Sequence, residues 1–294
     1  MIWILVVAVL FGPQLVGIFS GSARAEYSSH LVLMPLVIGY LLYSKRQAIF
    51  ANTSYAPLPS AALAAAALVA LLLRHSHISL SYQAVPTLVV ITALLFALAG
   101  FWFCYGNRSF RAAAFPFLML FFIVPIPAPL MDSIIRSLQL GSAQLTAWMF
   151  TVLGVPNIRE GFTMTLPGFE IEVARECSGI NSTIALLITM CLVAHESLQR
   201  TSNRLIFLLL TIPLSIVKNA IRIVTLVLLS MYVDRGFLTG RLHHEGGFVF
   251  FIITLLLMIP IWKVLNHFEQ KPLITDQSNS PVKRVEVSSA TTAS

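Results

Sequence analysis

Apolar residues occur along this chain in long runs that are separated by short polar stretches. The runs cover about residues 2–20, 30–44, 59–73, 85–105, 112–131, 178–196, 205–232 and 247–265. A run of about 20 apolar residues can cross a bilayer as a helix, which satisfies its own backbone hydrogen bonds in lipid. Pro125, Pro127 and Pro129 are expected to end the fifth run, because proline interrupts the helical hydrogen-bond ladder. The pattern predicts an all-α polytopic membrane protein with about eight transmembrane helices, of which the second and third are short.

The longest stretch between two runs has a pattern of its own. Apolar positions over 133–155 recur with helical spacing, which predicts an amphipathic helix lying along the membrane interface. Residues 162–173 contain two groups of strand-forming residues around Pro167-Gly168. This arrangement predicts a small β-hairpin directly before the sixth span.

Composition places the chain in the same class of protein. Of the 294 residues, 57% are hydrophobic and only 11% are charged, and the mean hydropathy is +0.84. Soluble domains carry roughly 25% charged residues because their surfaces face water. The net charge of +7 is not clustered on one face of a soluble module, so we expect no nucleic-acid partner. The first 20 residues lack the basic start of a secretory signal, and we expect a retained first span.

The loop cations predict the orientation in the membrane, because cytoplasmic loops are enriched in Lys and Arg. With the N-terminus inside, the inner loops and the tail hold ten Lys and Arg residues and the outer segments hold seven. We therefore expect both termini in the cytoplasm, and the hairpin and the start of the sixth span on the outer side. Residues 266–294 are polar and rich in Ser and Thr, which predicts a disordered cytoplasmic tail.

Cys177 lies in the sequence VARECSGIN, at the predicted outer start of the sixth span. Unpaired N–H groups at a helix start favour a thiolate. The nearby Arg175 would add to this effect and Glu176 would oppose it. Ser178 and Gly179 are small and are expected to let a substrate backbone approach. The sulfur is a candidate nucleophile; the alternative is an inert cysteine at the membrane interface.

Lys218, Asn219 and Arg222 in the sequence IVKNAIR share one helical face within the seventh span. Arg222 is expected in the outer half of the bilayer, at the depth of the helix end that follows Cys177. Charged side chains inside a membrane are costly and usually mark a functional site. The alternative is that these cations extend to the lipid headgroups. Two cations and an amide on one face favour a polar cavity.

His243 and His244 in GRLHHEGGFVFF precede the eighth span on the predicted outer side. Histidine suits general acid–base chemistry near neutral pH, although a loop histidine is often merely solvated. Composition does not choose between the two. The predicted topology brings Cys177, Arg222 and these histidines to one leaflet. This convergence favours a cysteine activated by histidine, with arginine stabilising the oxyanion of an acyl-transfer intermediate.

Four stretches in the second half of the chain, taken in order, resemble the exosortase/archaeosortase family. They are VPIPAP, GVPNIREGFTMTLPGFEIEVARECSGINS, IPLSIVKNAIRIVTL and HHEGGFVFF, and the resemblance covers about residues 115–265. Members of this family are multi-span membrane proteins regarded as cysteine transpeptidases or proteases. The resemblance implies partners that are exported proteins with a C-terminal sorting signal: a short motif, a hydrophobic helix and a basic end. It also implies processing at the outer face of the cytoplasmic (inner) membrane.

The resemblance assigns roles to individual residues. The family's cysteine nucleophile falls on Cys177 in ECSGI, and its arginine falls on Arg222 in NAIR. The family's histidine, a general acid/base, precedes a glycine by four residues ahead of an aromatic run, and the spacing to Gly247 selects His243 over His244. Possible supporting residues are Lys218, Asn219, Arg175, Ser178 and His244. The chain then divides into N-terminal helices (1–111), a catalytic membrane core (112–265) and the tail (266–294).

A second class of function remains open at this point. A transporter or scaffold for envelope polysaccharide export would use Lys218 and Arg222 to bind an anionic solute. Transporters often contain two related halves, and no internal repeat is evident here. The chain contains no HExxH, CxxC or glycine-rich phosphate motif, so we expect no metal and no cofactor. Cys104 and Cys191 lie in apolar runs and are expected to pack as small hydrophobes.

Overall fold

The computed structural model describes residues 2–22, 29–51, 53–75, 85–234 and 247–277, and these are mostly helical. The helices are α1 (Ile2–Ser22), α2 (Ser29–Ser44), α3 (Arg46–Phe50), α4 (Pro57–His75), α5 (Val85–Ala112), α6 (Ala114–Leu120), α7 (Ala128–Val152), α8 (Ile180–Ser197), α9 (Thr201–Tyr232) and α10 (Gly247–Gln277). Three strands, β1 (Ile158–Glu160), β2 (Thr163–Leu166) and β3 (Phe169–Glu172), lie between α7 and α8.

Part of the predicted number of membrane spans is supported by the described residues. By length and composition, four helices in the described ranges can cross a membrane: α5, α8, α9 and α10 as far as Glu269. The count rises to five if the bent pair formed by α6 and α7 is one span. The apolar parts of α2 and α4, Leu33–Ser44 and Pro57–Leu73, are shorter. The helical membrane class therefore holds, and the described residues support four or five spans; the predicted eight are not confirmed.

The predicted fifth span over 112–131 is wrong as a single helix. Helix α6 ends at Leu120, a short 3₁₀ turn follows, and α7 starts at Ala128 in a direction 91° away. Val124 is extended, with ψ at 121°, because a residue that precedes proline is disfavoured in the helical region. Pro125 and Pro127 thus interrupt the helix before residue 131, and the chain makes a sharp turn between α6 and α7.

Two helix ends also differ from the prediction. Helix α7 contains most of the helix predicted over 133–155, but it begins at Ala128 and ends at Val152. Helix α10 continues to Gln277, so the first part of the tail predicted to be disordered from 266 is helical. Residues 278–294 lie outside the described ranges.

The strands form one antiparallel sheet in the order β1-β2-β3. Strands β2 and β3 make the hairpin expected from the sequence, with Leu166 opposite Phe169 and Pro167-Gly168 in the turn. Gly168 has a φ of 89°, a left-handed conformation that glycine adopts without a steric cost. Strand β1 was not predicted. The side of the membrane on which the sheet lies stays a prediction.

The sheet packs on α7 and α9 through a cluster of apolar side chains. Met164, Leu166 and Val173 are buried against a cluster that includes Phe150 of α7 and Val224 of α9. The last strand therefore ends over α9, and the chain enters the turn that holds Cys177 directly afterwards.

Helices α7 and α9 lie close to each other beside the sheet. A Cβ atom added to Gly141 of α7 would lie 3.0 Å from the Cδ1 atom of Ile216 of α9, so glycine permits this approach. A second cluster, which includes Ile135 of α7 and Ile184 of α8, joins the same bundle to α2 and α6. The turn before α8 is thus held between α7, α9 and the sheet.

Candidate active site

Cys177 lies in a single 3₁₀ turn, Glu176–Ser178, immediately before α8. The backbone N–H of Cys177 donates to the carbonyl of Ala174 at 3.0 Å, and the N–H of Ser178 donates to the carbonyl of Arg175, also at 3.0 Å. Gly179 then takes a left-handed conformation, with φ at 74°, and α8 begins at Ile180. The half-buried Cys177 side chain therefore lies beside the N-terminal end of an 18-residue helix. The thiolate that the sequence predicts at such a helix start stays a prediction.

Asn219 of α9 holds this turn in place. Its side-chain Nδ2 donates to the carbonyl oxygen of Cys177 at 2.7 Å and to the Oγ of Ser142 on α7 at 3.0 Å. Asn219 is only 1% exposed, and Ser142 is fully buried. One amide thus joins two helices to the backbone of the cysteine, which makes Asn219 a positioning residue. Gln139, one turn before Ser142, donates to the carbonyl of Val173 at 2.8 Å and fixes the entry to the turn.

Cys177 and Arg222 line the same cleft. The cleft has an empty volume of about 430 Å³, which includes space open to the surroundings, and it lies between the end of β3 and the C-terminal half of α9. Its remaining lining residues are Ile171, Glu172, Val173, Asn219, Ile223, Leu226 and Val227. The lining is mostly apolar, and its polar residues are Cys177, Arg222, Asn219 and Glu172. A water-poor cleft of this kind strengthens electrostatic interactions between its few polar groups.

Lys218 does not extend to the lipid headgroups. Its side chain is buried, with 7% exposure, and its ammonium donates to the Oγ of Ser182 on α8. A Cβ atom added to Gly179 would lie 3.6 Å from the Lys218 ammonium and 3.1 Å from Oδ1 of Asn219. Lys218 therefore packs behind the cysteine turn, and it also lines an apolar groove between α9 and α10 that is separate from the Cys177 cleft.

Two of the expected supporting residues, Arg175 and Ser178, are not among the residues that line the cleft. Arg175 forms an ion pair with Asp132 of α7, with an N–O distance of 2.6 Å, and is not among the residues that line the cleft. Ser178 is 2% exposed, and its Oγ accepts a long hydrogen bond of 3.4 Å from the N–H of Ile180. Gly179 is buried as well. Ser178 and Gly179 are therefore packed inside the protein, and their expected role in admitting a substrate backbone stays a prediction.

The histidines lie outside the described residues. This holds for the preferred His243 and for its neighbour His244, so the roles assigned to them stay predictions. Sequence reasoning missed Ser142, Gln139 and Glu172, which the structure places around the turn and the cleft. Within the ranges that the structure covers, no group of three His, Cys, Asp or Glu side chains is arranged to hold a metal ion.

Comparison with known proteins identifies one family. The profile described as "Transmembrane exosortase (Exosortase_EpsH)" matches residues 22–260. This range extends well before residue 115, where the resemblance in the sequence motifs begins, and so it includes most of the N-terminal helices. No curated protein and no solved structure matches the chain.

Proposed function

This chain belongs to the transmembrane exosortase family, and from that premise we propose that it is a cysteine transpeptidase or protease of exported proteins. Its substrates carry a C-terminal sorting signal made of a short motif, a hydrophobic helix and a basic end. Cleavage occurs at the outer face of the cytoplasmic membrane. The observation that carries the proposal is that Cys177 and Arg222, which are far apart in sequence, line one cleft.

The hydrogen bonds of the turn support the role of Arg222. In many enzymes with a nucleophile at a helix start, backbone N–H groups stabilise the oxyanion. Here the N–H groups of Cys177 and Ser178 already donate to carbonyls within the turn. Arg222 lines the same cleft as Cys177 and offers a further donor. Its guanidinium is always charged and has several N–H groups, which suits a developing oxyanion.

The reaction then follows the course of acyl transfer. The Cys177 thiolate attacks a substrate carbonyl carbon, and Arg222 stabilises the oxyanion of the tetrahedral intermediate. Collapse of the intermediate breaks the C–N bond, and the leaving amine takes the proton that His243 had accepted from the thiol. The product is a thioester on Cys177. Water or an acceptor amine attacks this thioester and regenerates the thiol.

Asn219 supports this chemistry through the backbone. By holding the Cys177 carbonyl and Ser142 together, it keeps the sulfur on the cleft side of the turn. Geometric control of this kind is worth large factors in rate, because a small displacement of a nucleophile is costly.

The test is processing of a co-expressed substrate, a protein from the same genome that ends in a short motif, an apolar helix and a basic cluster. Cys177→Ala should abolish cleavage while the protein still inserts, and Arg222→Ala should lower the rate by about 10²–10³-fold. Cys191→Ala is the matched control, because Cys191 is a half-buried thiol within α8 that is not expected to react. Normal cleavage by the Cys177→Ala variant would exclude the mechanism.

The rival reading as a polysaccharide transporter or scaffold loses support from the arrangement of the two cations. A site for an anionic solute would need Lys218 and Arg222 in one cavity. Arg222 lines the Cys177 cleft, whereas Lys218 lines a different groove and donates to Ser182.

A further inference from the structure

A groove runs between α2 and α8, away from the Cys177 cleft. It is an open groove with an empty volume of about 950 Å³, and its walls include Leu36, Val37 and Leu41 of α2 and Leu192 of α8. From Leu36 to Lys45 the groove follows about 13 Å of helix axis, which is roughly half of the ~30 Å hydrocarbon core of a bilayer. Its length therefore suits an acyl chain within a single leaflet.

The groove ends at a fixed pair of opposite charges. The Lys45 ammonium lies 3.7 Å from a carboxylate oxygen of Glu196, and both residues line the groove. Lys45 also donates to Nε2 of His195 at 2.6 Å. The His195 ring stacks on Phe115, with ring centroids 3.6 Å apart and an angle of 4° between the planes. His195 thus anchors the ammonium, which makes this end of the groove a built site and not a mobile surface lysine.

Both charges remain accessible from the groove. The Lys45 side chain is 31% exposed, and that of Glu196 is 62% exposed. Ser44 adds a hydroxyl group to the same end. The site therefore presents an apolar channel that ends in one cation, one anion and a hydroxyl group.

The groove is distinct from the proposed active site. Leu192 and Glu196 lie near the last turn of α8, whereas Cys177 precedes its first turn. Helix α8 has 18 residues and is therefore about 27 Å long. The two sites thus lie at opposite ends of a helix that is long enough to cross the membrane.

We propose that this groove binds a zwitterionic phospholipid with a primary ammonium headgroup, phosphatidylethanolamine. The lipid phosphate contacts Lys45, the headgroup ammonium donates to Glu196, and one acyl chain lies along the apolar wall formed by Leu36, Leu41 and Leu192. The inference does not depend on the proposed chemistry at Cys177.

Charge and hydrogen bonding select this headgroup. The pair of Lys45 and Glu196 has no net charge, so a headgroup with net negative charge would leave Glu196 beside a second anion. A zwitterionic headgroup places a group of opposite charge beside each side chain: its phosphate beside Lys45 and its ammonium beside Glu196. A choline headgroup carries the same charges but has no N–H group, so it cannot donate to Glu196, whereas a primary ammonium has three donors. Charge-assisted hydrogen bonds of this kind are among the stronger polar contacts.

Lipid competition tests the proposal. The full chain is placed in nanodiscs that contain equal mole fractions of phosphatidylethanolamine, phosphatidylcholine and phosphatidylglycerol, and the lipids that remain bound after transfer to detergent are measured by native mass spectrometry. The wild-type protein should retain phosphatidylethanolamine about tenfold over either competitor, the factor expected from one charge-assisted hydrogen bond. Equal retention of the three lipids, or preference for phosphatidylglycerol, would overturn the proposal without any variant being needed.

Two substitutions assign the preference to the groove. Glu196→Gln should remove the preference for phosphatidylethanolamine over phosphatidylcholine, and Lys45→Gln should lower retention of all three lipids. Arg46→Gln is the matched control, because Arg46 is the next residue, carries the same charge and lies over the ring of Tyr43, 4.0 Å from its centroid. Arg46→Gln should retain the wild-type lipid pattern. Wild-type preference in the Glu196→Gln protein would show that the lipid binds elsewhere.

Discussion

Gly179 joins the turn that carries Cys177 to helix α8, and both its backbone and its surroundings require glycine. Its φ is 74°, in the left-handed region that costs other residues about 1–2 kcal/mol. A Cβ atom would also lie 3.1 Å from the Oδ1 atom of Asn219, the residue that holds the Cys177 carbonyl. Any side chain at 179 therefore presses on the contact that positions the sulfur.

Gly179→Ala should destabilise the protein by about 2–5 kcal/mol, the sum of backbone strain and overpacking, and should change the alkylation rate of Cys177. Gly154→Ala is the matched control, because Gly154 has a φ of 72° and no atom within 4 Å of an added Cβ. Gly154→Ala should lose only the stability that corresponds to backbone strain, and it should leave the alkylation rate of Cys177 unchanged. Thermal unfolding in detergent and iodoacetamide kinetics measure the two effects, and equal results for the two variants would contradict the packing role of Gly179.

At this scale the sequence predicts some site residues and not others, for a physical reason. Cys177 and Arg222 stand out because a cysteine between charges and an arginine in an apolar run are unusual in their own surroundings. Ser142 and Gln139 are ordinary polar positions of an amphipathic helix. Their partners, Asn219 and the carbonyl of Val173, are 77 and 34 residues away in sequence, and no local pattern reports such a contact.

Among the helices, α10 is tied to the rest of the bundle by a polar contact at its far end. Glu269 accepts hydrogen bonds from the backbone N–H groups of Gln199 and Arg200 at 2.8 and 2.9 Å, and from Nδ2 of Asn203 at 2.9 Å. These two backbone groups lie immediately before α9, which begins at Thr201 with Arg200 as its N-cap. Glu269 is 9% exposed, so these bonds are largely shielded from water.

Glu269→Ala should lower the free energy of unfolding by about 1–2 kcal/mol, as for the loss of a helix cap, and should loosen α10. Glu269→Gln keeps one acceptor oxygen and should have a smaller effect. Lys263→Ala, an exposed position on the same helix, serves as the control and should leave the unfolding midpoint unchanged. A midpoint for Glu269→Ala equal to that of Lys263→Ala would show that the contact does not stabilise the bundle.

The elements show where hydropathy is informative and where it is not. The ranges of α8 and α9 follow closely from the apolar runs, and the hairpin follows from the Pro167-Gly168 turn, because each of these signals is local. The eight runs look alike in hydropathy, but hydropathy does not report direction, so the 91° bend between α6 and α7 could not be foreseen. Strand β1 has only three residues, which is too short for a recognisable alternation.

At the scale of the whole molecule, the proposed chemistry depends on which side of the membrane holds the cleft. Cys177 precedes α8, and Thr201 begins α9 after the loop that follows α8. If α8 crosses the membrane, these two positions lie on opposite sides. The distribution of Lys and Arg predicts that Cys177 is outside.

Labelling with a membrane-impermeant maleimide tests this orientation. In a protein with Cys104→Ser and Cys191→Ser, Cys177 should react in intact cells. In the matched protein with Thr201→Cys and Cys177→Ser, the thiol should react only after the membrane is permeabilised. The reverse pattern would place the cleft in the cytoplasm and would remove exported proteins as substrates.

The proposed function requires that Cys177 forms a covalent bond to the substrate in the cleft that it shares with Arg222. The most direct measurement is mass spectrometry of the enzyme, rapidly quenched at low pH during turnover of a co-expressed substrate. We expect a hydroxylamine-sensitive thioester on Cys177 with the mass of the substrate upstream of the cleaved bond, and a lower amount of it in the Arg222→Ala protein. Processing that continues with no adduct on Cys177, or with the adduct on another residue, would contradict it.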